Sequence, residues 1–538
     1  MSGQTQQDLL IQNARIVDGT GAPAFSGNVL VRGKRIAAVG PGVGAPGVRV
    51  LDAGGRVLAP GFIDLHRHCD FRALAPGFGQ VELAQGVTTA LSGVCGMSAF
   101  PQAPARRREY EEYLLPCLGR NPAGTAFSGL PAYHALLEQA ALPLNLGTFV
   151  GAGAVKVFAR GFAGGPFTAG ELDAAAGQVA AALDAGAFGL SLGIMYTPEC
   201  YSSSAEIARL AAPVRGRGLV CAHIRGEGDT LVPSVQEAID IARRAEVPLQ
   251  ISHFKAFGVH NWHDTIFRAI EVIERARAAG QDVTVDFYPY CAGSTILFSI
   301  IPPQFLQQGQ AQALRLLATA EGKRQLRRAL YTEVPGWDSA VLQLGLERIV
   351  ISSVQKAEHL PFVGKSIAEN CRALGVAEPA DWIADLLAAE DGQVGVLVNS
   401  MAQEDVDTVA RLPYSMLISD SLYCADGLPH PRLYGSFPRF LQEYCVRRPV
   451  LGLEAAIAKM TGLPARRAGL AGRGEIKPGH WADLVLFEPA RFADKATFDA
   501  PAQLAAGMDL VLVNGAAAWQ NGAPEPSPSG RVLKRNAL

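Results

Sequence analysis

The chain has 538 residues, 49% of them hydrophobic and 18% charged, a balance that excludes a disordered or fibrous protein and suits a large buried core. Its 48 basic and 50 acidic residues leave a net charge of -2, with no electrostatic footprint for nucleic acid or an anionic membrane surface. No run of 18 apolar residues offers a membrane span, and the opening MSGQTQQDLL has neither the basic start nor the apolar stretch of a secretory signal. Nine cysteines, an odd number with no CxxC pair, read as reduced thiols and point to a cytoplasmic protein.

The first 60 residues read as short strands. Leu9 to Val17, Asn28 to Val31, Arg35 to Val39, Val48 to Leu51 and Arg56 to Leu58 are separated by glycine turns such as Asp18-Gly19. That spacing predicts a small antiparallel sheet. From residue 61 short apolar strands alternate with Ala- and Leu-rich helices. A helix begins after Thr168, a plausible N-cap with Glu171 three residues on, and runs to Leu183. Strands at 188–192, 219–223, 248–253 and 283–287 alternate with helices at 206–217, 235–245 and 265–279. Repeated β/α texture over about 400 residues predicts an α/β fold, a (β/α)8 TIM barrel. The stretch 295–350, with Pro302-Pro303 and two Gln-rich helical pieces, breaks this rhythm and reads as an insertion or lid over the barrel mouth. After residue 467 the pattern returns to β: Ala482 to Phe487, Leu510 to Val513 and Ala517 to Trp519. The expected division is therefore a small β-sandwich domain formed by both termini (1–59 plus 468–538) and a barrel at 60–467.

Catalytic groups of such barrels sit at the C-terminal ends of the strands. Here those ends carry His66-Arg67-His68, Cys95, His223, His253 and Asp420. An HxH pair on a strand directs both imidazoles to one side, because side chains alternate with period two. Alone it is a weak sign of a metal. Two more His and an Asp at later strand ends, four of only ten His in all, turn it into a metal-site expectation.

Pro60-Gly61-Phe62-Ile63-Asp64-Leu65-His66-Arg67-His68 resembles the opening motif of the amidohydrolase superfamily. Gly93 to Ser98, Gly189 to Pro198, His223 to Glu227, Ile251 to Lys255, Asp286 to Tyr290 and His430 to Arg439 resemble the N-acyl-D-amino-acid deacylases (D-aminoacylases), as does the tail from Gly474. The likeness spans nearly the whole chain. It implies a zinc-dependent hydrolase of N-acyl-D-amino acids, a small-molecule substrate. It further implies a tightly held Zn2+ on Cys95, His223 and His253, and a second, weaker metal position at His66 and His68 with Asp420 near it. By the same resemblance Asp420 is the general base and then acid, Lys255, Tyr288 and Ser294 hold the substrate carboxylate, and Tyr196 lies near the scissile carbonyl. Arg225 and Glu227 are either supports for the metal ligands or an ion pair holding a loop.

Three points depart from the pattern. Asp426-Gly427 offers a second match to the catalytic Asp, although Asp420 directly ends the apolar strand. Val155-Lys156-Val157-Phe158 resembles the carboxylated-lysine strand of the dihydropyrimidinase branch, which offers a bridging carbamate on Lys156 as an alternative to Cys95. Arg67, a cation between two metal His, has no role that the sequence explains. The alternatives to a deacylase are a cyclic-amide hydrolase of the hydantoinase type and a non-catalytic scaffold of the same fold. The acyl group, the side chain accepted and the oligomeric state (a homo-oligomer or not) stay open.

Overall fold

The computed structural model describes residues 8–423, 427–526 and 528–535. Eight parallel strands form the barrel: β1 (Phe62–Asp64), β2 (Val87–Ser92), β3 (Asn145–Thr148, continued by Val150–Gly151), β4 (Gly189–Gly193), β5 (Leu219–His223), β6 (Leu249–Ile251), β7 (Val283–Phe287) and β8 (Ser415–Leu417). Each pairs in parallel with the next, and the strand interiors are buried throughout, as expected where helices cover the outside. The ring closes just beyond the strands. The Asp420 amide donates to the His66 carbonyl at 2.9 Å, and that of His68 to the Ser421 carbonyl at 3.1 Å. Two segments expected to carry metal ligands are thereby stitched together.

The helices follow the sequence closely where their signals are strong. Ala169–Asp184 starts at the capping box expected of Thr168, whose hydroxyl accepts from the Glu171 amide while the Glu171 carboxylate accepts from the Thr168 amide at 2.8 Å. Val155 to Phe158 is a correction: it lies in a helix, Ala152–Arg160, not in a strand. The third barrel position is already filled by 145–151, so tertiary context overrides the β-branched valines.

Both ends of the chain build one nine-stranded sheet. Val57–Pro60 pairs antiparallel with Leu484–Phe487, which pairs with Met508–Val513. The sheet is not purely antiparallel, as expected, because Leu9–Ile16 runs parallel to Arg49–Asp52 and to Val57–Leu58. Its strands serve two cores at once. Leu58, Leu484, Leu486, Leu510 and Leu512 face a small core within the sheet, while Val57, Ala59, Val485, Phe487, Val511 and Val513 face the main core shared with the barrel. Period-two alternation thus welds the sheet to the barrel.

Between β7 and β8 the chain makes a long excursion that contains the segment 295–350. Gly293–Ile296 pairs antiparallel with Gly395–Val398, which also pairs with Ile349–Ser353, and the helices Gln310–Leu317 and Ala320–Leu330 pack on each other and on Pro379–Ala389. Ser294, Ser299, Ile300, Asp338 and Ala340 from this excursion line the cavity at the barrel mouth.

Candidate active site

The strand-end residues converge at the floor of a cavity of about 900 Å3, a volume that includes its open mouth. Two donor groups form there. His66, His68, Cys95 and Asp420 make one and Cys95, His223 and His253 the other; within each, the ligand atoms lie no more than 4.8 Å apart. Cys95 belongs to both, with its sulfur 3.2 Å from His66 Nε2 and 3.5 Å from His253 Nε2. Asp420 Oδ1 is 3.3 Å from Nε2 of both His66 and His68.

The backbone at these positions is unusual. Cys95, His253 and Asp420 all adopt positive φ, at 53°, 36° and 50°. For residues with a Cβ this left-handed region costs about 1–3 kcal/mol each and persists only where the surroundings enforce it. The surroundings of Cys95 do so. Its turn begins at Gly93, also at positive φ, where a Cβ would lie 2.2 Å from the Phe149 carbonyl oxygen. Behind it the buried Glu199 carboxylate accepts from the Gly193 amide at 3.0 Å.

The electrostatics suit a cation. Burial opposes ionisation of Asp420, yet Arg432, 2.9 Å from Oδ2, and His66 hold its carboxyl well below the usual carboxylate range. Burial lowers His68 to about 4 and His223 well below the ordinary histidine value, so both are neutral imidazoles able to ligate. Burial works against the charge of His66 too, but Asp420, Asp286 and Asp64 together raise it. Burial, then Asp420, pushes the Cys95 thiol well up, a cost that only a strong cation reverses, since coordination deprotonates a thiol outright. Both nitrogens of buried His223, and Nδ1 of His66 and His68, have no hydrogen-bond partner among the described residues. Orphaned imidazole nitrogens beside a thiol and a carboxylate form a donor set that fits zinc.

The groups behind the ligands were only partly foreseen. Glu227 Oε1 lies 2.5 Å from Lys255 Nζ and 3.0 Å from His253 Nδ1, and although burial opposes it, the Lys255 ammonium keeps Glu227 ionised. Asp286 accepts from the His253 amide and from Gln250, with Oδ1 3.9 Å from His66 Nδ1. Arg225 instead pairs with Glu237 at 2.8 Å and donates to the carbonyls of Cys200 and Ser202, holding a loop. Arg67 now has an account: wholly buried, it turns away from the metal side to Asp64 at 3.1 Å, Glu82 at 2.9 Å, the Ser419 hydroxyl at 3.1 Å and the Tyr423 hydroxyl at 2.7 Å. It ties β1 to the segment that carries Asp420.

Lys255, Tyr288, Ser294 and Arg432 line one side of the cavity, with Arg432 Cζ 4.7 Å from the Tyr288 ring centre and Arg432 donating to the Ser294 carbonyl at 3.4 Å. Tyr196 packs on His223 at 4.7 Å between ring centres. Lys156 is absent from both donor groups: its ammonium donates to the Ser202 hydroxyl at 2.7 Å from the helix described above. Asp426, the second candidate for the catalytic carboxylate, lies outside the described residues.

A (β/α)8 barrel whose strand ends present this donor set defines the class of metal-dependent hydrolases. The family described as "Amidohydrolase family" matches residues 49–518, and the chain belongs to it. The chain is 35% identical over 538 residues to the N-acyl-D-glutamate deacylase of Alcaligenes xylosoxydans xylosoxydans, covering 99% of this chain and 98% of that protein. It is 32% identical to the D-aminoacylase of the same organism, with 98% of each covered. Among solved structures, the N-acyl-D-glutamate deacylase of Bordetella bronchiseptica, complexed with zinc and a phosphonate mimic of the tetrahedral intermediate, superposes with a TM-score of 0.82 at 33% identity, covering 98% of this chain and 100% of that one. A D-aminoacylase studied for its binuclear metal centre gives 0.81 at 33% identity, with the same coverage. A D-hydantoinase at 15% identity and a TM-score of 0.56 shares the fold.

Proposed function

We propose that the chain hydrolyses the N-acyl amide bond of N-acyl-D-amino acids to a D-amino acid and a carboxylate, in a zinc-dependent reaction. The observation that carries this reading is the pair of donor groups sharing Cys95 at the floor of one cavity. In it, Cys95, His223 and His253 hold the tight zinc, and His66 and His68, with Asp420, form the second and weaker position. Bound zinc supplies a Lewis acid that polarises the amide carbonyl and makes an attacking water more acidic.

The protein's own groups handle the protons and the substrate. Asp420, ionised by its pairing with Arg432, accepts the proton of the attacking water and passes it to the amide nitrogen, which cannot leave unprotonated. Lys255, Tyr288 and Ser294 form the clamp for the substrate carboxylate, with Arg432 beside them. Tyr196 faces the carbonyl. Glu227 orients His253 and Lys255 together, so that a metal ligand and a substrate cation depend on one carboxylate. The substrate is a small molecule; no nucleic acid or membrane partner is part of this reading, and the location is cytoplasmic. No helix among the described residues is long and apolar enough to cross a membrane.

The test is a screen of N-acetyl-D- and N-acetyl-L-amino acids beside hydantoins, with added zinc and free amine as readout. Turnover of D-substrates only is expected. Turnover confined to ring substrates, or to L-substrates, would overturn the reading.

A further inference from the structure

Far from the cavity, where the terminal sheet meets the barrel, three guanidinium groups surround one indole. The Cζ atoms of Arg35, Arg531 and Arg473 lie 3.8, 4.3 and 4.7 Å from the ring centre of Trp481. Together with Lys534 they line a surface pocket. Such stacking satisfies the planar faces of the cations but leaves their mutual repulsion uncompensated.

The carboxylates nearby are already committed. Asp483 pairs with Arg473 through one oxygen, which also accepts from Asn145 at 3.4 Å, and its other oxygen accepts from the Asn514 amide at 2.7 Å. Glu138 pairs with Lys534 at 3.1 Å. Among the described residues the Arg35 side chain donates to one carbonyl, that of Gly479, at 3.0 Å. Arg531, half-buried, has no ion pair and no side-chain hydrogen bond among the described residues. A half-buried arginine with five donors and no direct acceptor, beside two like charges that only the already paired Asp483 offsets, is short of negative charge.

We propose that this pocket binds a small multivalent oxyanion of the phosphate class, held by Arg531 and Arg35 over Trp481. The planar fork of arginine suits a tetrahedral oxyanion. The chain around the pocket gives the anion a structural consequence. Gly530 donates to the Leu142 carbonyl at 2.8 Å and Leu533 to the Leu146 carbonyl at 2.8 Å, so the segment carrying Arg531 lies along β3. Neutralising the cluster would fasten that segment to the barrel.

The experiment is calorimetric titration of the zinc-loaded full-length protein with inorganic phosphate at fixed ionic strength, set against Arg531→Gln and Arg35→Gln. Arg35, exposed at the rim, tests the site from a second side. Saturable binding by the parent chain is expected, weakened about tenfold or more in each variant, as loss of a charge-assisted contact requires. Deacylase turnover should be unchanged in both. Absence of phosphate binding by the parent chain would overturn the proposal, as would binding of equal strength in both variants, since the phosphate would then lie elsewhere.

Discussion

The mouth of the barrel and the seam between barrel and terminal sheet obey opposite rules. At the seam, Val57 to Pro60, Leu484 to Phe487 and Met508 to Val513 are regular strands whose alternating side chains fill two apolar cores. At the mouth, Cys95, His253 and Asp420 sit in left-handed backbone, and ionisable side chains are buried against one another. The seam gains stability from every residue. The mouth costs stability, which the rest of the molecule offsets, and what it obtains is a fixed array of donors.

The largest expected effect breaks the mouth alone. Removing zinc with a chelator, or substituting Cys95→Ala, should lower turnover by at least about a thousandfold, with metal content measured in parallel. Asp420→Asn should cost about 10²–10⁴-fold in kcat while zinc is retained. At the seam the signature inverts. Leu486→Ala, on the small core, should cost about 2–5 kcal/mol by denaturant unfolding while turnover per folded molecule is kept. A loss of activity without loss of stability there would dissolve the contrast.

A subtler change sharpens it. Glu227→Gln keeps the shape but loses the charge that His253 Nδ1 and Lys255 share. Zinc affinity, measured by chelator competition, should fall about 10–100-fold, and KM should rise because the substrate clamp is disturbed as well. The smallest effect is pH-dependent. Burial raises Glu199, behind the Cys95 turn, to about 7. Its folded form therefore keeps a proton that the unfolded chain releases near 4.5. The resulting stability is complete below about pH 4.5 and is lost as pH rises toward 7, with a slope no steeper than about 1.4 kcal/mol per pH unit. Urea midpoints at pH 5 and 7.5 should show this slope reduced in Glu199→Gln. An identical slope in the variant would remove Glu199 from the account.

What the sequence discloses follows the same divide. The convergence of His66, His68, Cys95, His223, His253 and Asp420 was legible because each stands at or just beyond the end of an apolar strand, and topology carries all such ends to one face. The eight-strand barrel was legible for the same reason, through the β/α rhythm. Arg67 was not, since its meaning depends on Glu82, in the helix that follows the first barrel strand, and on Tyr423, which only barrel closure brings to it. Lys156 stood as an alternative to Cys95 because Val-Lys-Val-Phe has strand composition, yet it falls after a strand position already filled. Arg432 and Asp286 fell within motifs that the sequence singles out, but their partners Asp420, His66 and His253 are set by packing. The parallel pairing of Leu9–Ile16 was hidden too, because strand direction is a property of connection rather than of composition.

The pairing of Val57–Pro60 with Leu484–Phe487 has a consequence for how the molecule comes into being. The first of these strands waits for a partner more than four hundred residues further along the chain. Until then its edge is open and its apolar faces lack both cores, the condition under which nascent chains aggregate or seek chaperones. Contacts of such separation slow folding. The barrel's first strand follows that waiting segment directly, so the gathering of the candidate metal donors is coupled to a segment made after all of them.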